Sequence, residues 1–184
     1  MTEVVRAEFS APWGRAVRWT TTAAVVLLLV LVLAGLFAGP RQLPGWTVLT
    51  VALPLAVLLA PLAFMVRGYR LTDRFLVVQR PGWSTSLPLA GLIEVRGEPD
   101  GLRYAVRLFG NNGLYAITGW YWNRRLGRFR AYATDGERVV LLRYADGKRI
   151  VVTPGDVQHF IVRTRTLAGR VAPTRDPGEQ DRMA

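Results

Sequence analysis

The stretch from Gly101 to Thr134 has the residue types that bind anions, because it contains six arginines and no acidic residue. A guanidinium is a planar fork that pairs with phosphate or carboxylate oxygens, and Trp and Tyr rings suit a lipid headgroup interface. The segment therefore predicts a surface that contacts an anionic lipid or an acidic protein partner. The candidate contact residues are Trp120, Trp122, Arg124, Arg125, Arg128 and Arg130.

A second interpretation of this stretch stays open. Trp120 and Trp122 could be core residues, and the arginines could be a solvated face that binds nothing. Nucleic-acid binding also combines arginine with aromatic residues. The membrane attachment argued below counts against that third interpretation.

The sequence offers little material for catalysis or metal binding. There is no cysteine, and His159 is the only histidine, which excludes disulfides, thiolate ligands and histidine clusters. Ser84, Thr85 and Ser86 lack a neighbouring base, and no pair of carboxylates suits acid–base work. Gly110 to Gly113 has the composition of a turn rather than of a phosphate-binding loop. We therefore expect no catalytic residue, metal or cofactor, and a protein that is not an enzyme.

The elements that must position these residues include two uncharged apolar runs, Trp19 to Ala38 and Leu43 to Val66. About 20 helical residues span roughly 30 Å, the thickness of the hydrocarbon core of a bilayer. The two runs predict a transmembrane hairpin over residues 19–66, preceded by an N-terminal segment over residues 1–18.

The arginines flanking the runs predict the orientation of this hairpin. Three precede the first run, four follow the second, and the connecting link holds only Arg41. The positive-inside rule then places both termini in the cytoplasm. We expect a multi-pass protein of the cell membrane, with the soluble domain on the cytoplasmic side. We expect the partners of this domain to be anionic, because residues 67–184 carry 20 basic and 11 acidic side chains.

Short strands separated by turn residues follow the hairpin. Asp73-Arg74, Asp135-Gly136 and Asp146-Gly147 are hairpin-turn signals. Six or seven strands at this spacing predict an antiparallel barrel or sandwich.

One helix is predicted to close the barrel. It has Thr153 as its N-cap and Gly169 as its stop, and an apolar stripe that includes Phe160. The soluble domain is expected over residues 67–169, and residues 170–184 are expected to be a disordered tail.

The order of elements resembles the pleckstrin-homology-like (PH-like) fold, and details are similar to bacterial PH-like domains that follow membrane helices. The resemblance covers about residues 69–168. It is carried by Tyr69 to Val78, by Arg107 to Leu114, by Gly119 to Asn123, by Leu126 to Asp135 and by Ile150 to Pro154. It implies a β-rich PH-like barrel or sandwich capped by one C-terminal helix and a membrane setting, and it implies no activity.

The sequence thus predicts a non-catalytic, membrane-anchored interaction platform that contacts anionic lipid headgroups. The alternative is a regulatory or structural scaffold that oligomerises or docks a protein partner by strand addition. An enzyme acting on lipids or envelope precursors is a third class, with less support from the residues.

Overall fold

The computed structural model describes residues 4–38, 45–112 and 114–171, and ten strands in these ranges form two β-sheets. The strands are β1 (Val5–Ser10), β2 (Gly68–Thr72), β3 (Phe75–Gln79), β4 (Ser84–Pro88), β5 (Leu92–Gly97), β6 (Val106–Asn112), β7 (Ile117–Asn123), β8 (Gly127–Ala133), β9 (Val140–Tyr144) and β10 (Arg149–Val152). The helices are α1 (Arg15–Ala38), α2 (Trp46–Leu59) and α3 (Val157–Val171), and a 3₁₀ segment, Ala60–Phe64, continues α2.

Helix α1 contains the one segment in the described ranges that is long and apolar enough to cross a membrane, Arg15–Phe37. Only 6% of its most apolar window is buried within the protein, unlike the core helix of a soluble domain. The second apolar helix, Val48–Phe64, is shorter, with Pro54 inside α2 and Pro61 in the 3₁₀ segment. The predicted second span begins at Leu43, which lies outside the described residues.

The two apolar helices pack against each other. The indole Nε1 of Trp46 donates a hydrogen bond of 3.0 Å to the carbonyl oxygen of Gly35. A Cβ at Gly35 would lie 2.7 Å from Cγ2 of Thr50, so a larger residue would force the helices apart. Gly35 is therefore a packing residue between the two helices.

The first sheet has the order β1-β2-β3-β4, and all of its neighbours are antiparallel. The tight β2–β3 turn at Asp73-Arg74 confirms the prediction for those residues. Strand β1 lies before α1 in the chain and pairs with β2, which follows the apolar helices, so that Ser10 is opposite Gly68. The N-terminal segment thus completes the sheet of the domain, a role that the sequence analysis did not assign to it.

The second sheet has the order β5-β9-β10-β8-β7-β6. The hairpin predicted at Asp146-Gly147 joins β9 to β10 as expected. The hairpin predicted at Asp135-Gly136 is wrong, because β10 lies between β8 and β9 and pairs with β8 in parallel. The short β8–β9 connection therefore crosses over a strand instead of reversing the chain.

The two sheets enclose the main core, and α3 packs against it. Inward residues of both sheets, including Leu71, Val78, Leu142 and Val152, form one cluster with Phe160 of α3. A second cluster, which includes Tyr121 and Phe129, lies on the other face of the second sheet, and Leu102 and Ala105 pack against it. The β-rich fold with a C-terminal helix agrees with the predicted PH-like sandwich.

Helix α3 begins later than predicted. Asp156 caps it, because its Oδ1 accepts a hydrogen bond of 3.0 Å from the backbone N–H of His159. The helix continues past the predicted stop at Gly169 to Val171, so residues 170 and 171 are helical. The rest of the predicted tail, residues 172–184, lies outside the described residues.

Thr153, the predicted cap, instead belongs to a buried hydrogen-bond network. Its N–H donates to the hydroxyl of Tyr69, and its Oγ1 accepts from the N–H of Thr134. The Thr134 hydroxyl in turn donates to the carbonyl of Pro12, and the N–H of Gly14 donates to the Thr134 carbonyl. This network ties the start of α1 to the core of the domain.

The β6–β7 hairpin makes a second contact with α1. The N–H of Tyr115 donates a hydrogen bond of 3.1 Å to Oγ1 of Thr21. Strand β6 begins at Val106, and the turn predicted at Gly110 to Gly113 is displaced, because Gly110 to Asn112 belong to β6. The hairpin turn therefore lies beyond them, against the first turns of the apolar helix.

Candidate functional site

The register of β7 and β8 decides which predicted contact residues are accessible. Trp120 lies opposite Arg130, and Trp122 lies opposite Arg128. Side chains alternate between the faces of a strand, so the intervening residues Tyr121 and Phe129 enter the second core cluster. Trp122 is 43% exposed and Trp120 is half-buried, and neither belongs to a core cluster, so the interpretation of these tryptophans as core residues is wrong.

Trp120, Arg128 and Arg130 form one basic–aromatic cluster. The guanidinium carbons of Arg128 and Arg130 lie 4.8 Å and 5.8 Å from the centroid of the Trp120 ring. A cation over an aromatic face is worth about 0.5–1 kcal/mol at an exposed site. The contact holds both guanidinium groups on one face of the sheet and leaves their N–H donors free to bind an anion.

The other two predicted arginines lie elsewhere. Arg124 and Arg125 are in the turn between β7 and β8. This turn lies at the opposite end of β7 from Tyr115, which contacts α1. The guanidinium of Arg125 forms an ion pair of 2.7 Å with the buried carboxylate of Glu98. Glu98 lies just before the acid-free stretch, and pairing with it makes Arg125 part of the structural framework.

Acidic residues neutralise arginines on other surfaces of the domain. Arg6 pairs with Asp73, Arg70 with Glu8, and Arg143 with Glu94. In the part of the chain that the structure describes, no carboxylate forms an ion pair with Arg80, Arg107, Arg128 or Arg130. Nine other described arginines, among them Arg74 and Arg163, also lack such a pair, so the four differ from these in their surroundings rather than in being unpaired.

Three of these four arginines line a cleft beside the end of the second apolar helix. The cleft has a volume of about 710 Å³ and lies between the 3₁₀ segment, the β3–β4 turn and the β6–β7 hairpin. Its arginines are Arg80, Arg107 and Arg130, and none of the described residues that line it is acidic. We call it the helix-end cleft, because Ala60, Pro61 and Phe64 of the apolar segment form one of its sides.

Arg80 is the most buried charge of this cleft, at 8% exposed. Its guanidinium carbon lies 4.2 Å from the Trp83 ring centroid and 5.0 Å from that of Tyr132, and its Nε has no hydrogen-bond partner. Burial lowers the pKa of Arg80 below its usual value, and the charge of Arg130 also lowers it, whereas Tyr132 acts in the opposite direction. The ring contacts hold the guanidinium, but they leave a buried donor unsatisfied.

Two glycines leave part of the cleft wall without side chains. Gly110 and Gly119 face each other across β6 and β7, with φ values of 125° and 133°. A Cβ at Gly119 would lie 2.1 Å from the carbonyl oxygen of Phe109, so no other residue fits without moving a strand. The wall at this point is bare backbone.

Sequence reasoning missed Arg80, Trp83 and Arg107 as site residues. Arg80 entered the analysis only as a charge that sets membrane orientation, and Arg107 only as one arginine of the acid-free stretch. The turn Arg80-Pro81-Gly82-Trp83 does carry a local signal, since it places an arginine and a tryptophan at the two ends of a tight turn. What it faces depends on β6 and β7, which follow more than 20 residues later.

Within the described ranges, no group of three or more histidine, aspartate and glutamate side chains could hold a metal ion. Neither a curated protein nor a solved structure matches the chain. A family model described as "Bacterial PH domain" matches residues 67–168. The match confirms the resemblance seen in the sequence, and the chain belongs to the bacterial PH domain family.

Proposed function

We propose that this protein is a non-catalytic, two-span membrane protein that holds its PH domain at the cytoplasmic face as an interaction platform for anionic lipid headgroups. The observation that carries the proposal is that Arg80, Arg128 and Arg130 stack on aromatic rings and have no carboxylate partner, and that Arg80 and Arg130 line the cleft beside the apolar segment. A PH domain suggests an interaction module rather than an enzyme, and the chemistry of this surface suits phosphate.

The attachment of the domain to α1 supports the platform role. Hydrogen bonds from Gly14 and Tyr115 fix the first turns of the helix to the domain. Trp83 makes the corresponding contact on the other side, since its Nε1 donates a hydrogen bond of 2.8 Å to the carbonyl oxygen of Ala63. Contacts at two points would restrict rotation of the domain about the helices and so favour one surface towards the membrane.

The first prediction concerns topology. A reporter fused after Ala184 should be active only as a cytoplasmic reporter, and one inserted at Gln42 only as an external reporter. The physical reason is the excess of arginine on the two flanks of the apolar pair over the link. The opposite activity pattern would place the domain outside the cell. If both reporters were active on the same side, the second apolar helix would not cross the membrane.

The second prediction concerns Arg128 and Arg130. The full-length protein extracted into mixed micelles should retain phosphatidylglycerol over phosphatidylcholine, and replacing both arginines by glutamine should reduce this enrichment several-fold. Each basic group near an anionic surface is worth about 1 kcal/mol, roughly a fivefold effect. Salt should act in the same direction, because the Debye length falls from about 10 Å at 0.1 M to about 3 Å at 1 M.

Arg74 and Arg163 provide a matched control for this experiment. Both are exposed, and Arg74 lies in the β2–β3 turn while Arg163 lies on α3. Their double glutamine variant removes the same charge and should retain the wild-type enrichment. Equal enrichment in all three proteins would contradict the lipid proposal.

A second candidate function, docking of a protein partner, is favoured by one observation. Strand β6 is an edge of the second sheet and presents Val106, Leu108 and Phe109 to solvent, with Phe109 78% exposed. Such an edge can accept a strand from another chain. Crosslinking in native membranes separates the two functions, because docking requires a stoichiometric protein product that includes β6.

A further inference from the structure

We infer that the helix-end cleft is a binding site for a single terminal phosphate group, carried by the headgroup of an anionic lipid. This inference rests on the proposed function. It replaces a general attraction of anionic lipids to the basic surface with the binding of one lipid phosphate in one cleft. It concerns Arg80, Arg107 and Arg130 together with Tyr132.

Two buried polar atoms in the cleft lack partners. The Nε of Arg80 and the hydroxyl of Tyr132 are both buried without a hydrogen bond, and both residues line the cleft. Buried polar groups in proteins are almost always satisfied, and an unpaired buried charge is especially costly. Both atoms are enclosed, but both belong to residues that line one open volume, and we take them as donors for a ligand that brings acceptors.

The charge of the cleft specifies the ligand as an anion. Arg80 and Arg130 lie on the same ring, with guanidinium carbons 5.0 Å and 5.2 Å from the Tyr132 centroid. The charge of Arg130 acts unfavourably on that of Arg80, and an anion bound near both would offset this repulsion. Arg107 also lines the cleft, and its Nη1 donates a hydrogen bond to the Gly110 carbonyl at the bare wall.

A phosphate fits this donor set better than a carboxylate does. A terminal phosphate monoester, as in phosphatidic acid, offers three acceptor oxygens, enough for more than one guanidinium fork and a hydroxyl at once, and arginine binds phosphate in a bidentate manner. The two-oxygen face of a carboxylate would leave donors unpaired.

The surroundings of the cleft indicate a lipid as the source of the phosphate. Pro61 and Phe64 of the second apolar helix form one side, and Leu108 and Phe109 of β6 line another. A headgroup in the cleft would have its acyl chains next to an apolar helix. A soluble phosphate compound would gain nothing from these apolar neighbours.

Native mass spectrometry of the full-length protein in detergent tests the inference. Phosphatidic acid is titrated against diacylglycerol with the same acyl chains, a pair that differs only in the phosphate. We expect one phosphatidic acid per chain and no retained diacylglycerol. Arg107→Gln should weaken binding about tenfold, the loss typical of one charge-assisted hydrogen bond. Arg107 is exposed, so its replacement should not disturb the core.

Two further variants complete the design. Tyr132→Phe keeps the ring and removes the unpaired hydroxyl, and it should also weaken binding. Arg74→Gln, which removes a charge in the β2–β3 turn, should bind as the wild type does. If millimolar inorganic phosphate displaces the lipid, the phosphate site stands and its source is free phosphate.

Absence of a one-to-one complex, or equal binding by wild type and Arg107→Gln, would overturn the inference. These results would leave the proposed function intact if phosphatidylglycerol enrichment still depended on Arg128 and Arg130. Loss of that enrichment as well would end both proposals.

Discussion

Replacing Phe160 by alanine should lower the free energy of unfolding by about 3–5 kcal/mol, the usual cost of deleting a buried phenylalanine. The Phe160 side chain is 0% exposed. Its ring lies 5.1 Å from that of Phe9 and 6.2 Å from that of Tyr69, both in edge-to-face geometry. The ring therefore joins α3 to β1 and β2, and its loss would open a cavity where three elements meet.

Thermal and denaturant unfolding of the full-length protein in detergent, followed by near-ultraviolet circular dichroism, measures this effect. Val162 provides the control, because it lies two residues away on the same helix and is 61% exposed. Val162→Ala should change the stability by less than about 0.5 kcal/mol. An unchanged melting temperature for Phe160→Ala would show that α3 is not packed on the sheets.

The apolar stripe of α3 was readable from the sequence because helical periodicity is local. The β2–β3 and β9–β10 turns were readable for the same reason, since Asp73-Arg74 and Asp146-Gly147 each reverse the chain within a few residues. Asp135-Gly136 carries an equally good local signal, but β10 pairs between β8 and β9. That insertion is a non-local event, and no turn composition reports it.

The candidate site also combines local features, which the sequence shows, with contacts between distant residues, which it does not. Alternation along β7 and β8 would place Trp120 with Arg130 once their register is known. Pairing of Arg125 with Glu98 depends on how the β7–β8 turn folds back towards the end of β5. Arg80 becomes a site residue only through Tyr132, more than 50 positions later. Sequence spacing cannot show such contacts, because tertiary packing creates them.

Strand β1 is the largest departure from the sequence analysis, and it changes what counts as the domain. The family match begins at residue 67 and so omits β1. In this chain the first sheet is completed by residues that precede the apolar helices, with Phe9 opposite Tyr69. A fragment starting at residue 67 would expose the edge of β2, an unpaired edge of the kind that promotes aggregation.

Deletion of residues 2–11 from the full-length protein should therefore cost at least as much stability as Phe160→Ala. Phe9, which is 6% exposed, leaves the core together with its contact to Phe160. The backbone groups of β2 also lose the partners that β1 provides. Loss of the phenylalanine alone is worth about 3–5 kcal/mol, and the unpaired strand adds to it.

The control for this deletion is Arg6→Gln, which removes the ion pair of β1 with Asp73 but keeps the strand. Exposed ion pairs of this kind contribute about 0–1 kcal/mol, so this variant should melt close to the wild type. Hydrogen exchange locates the damage, because deletion should speed exchange of the β2 amides that β1 protects. If the deleted protein melts like the wild type and β2 exchanges at its normal rate, β1 is not part of the folded domain. The first sheet would then begin at β2, as the family boundary alone implies.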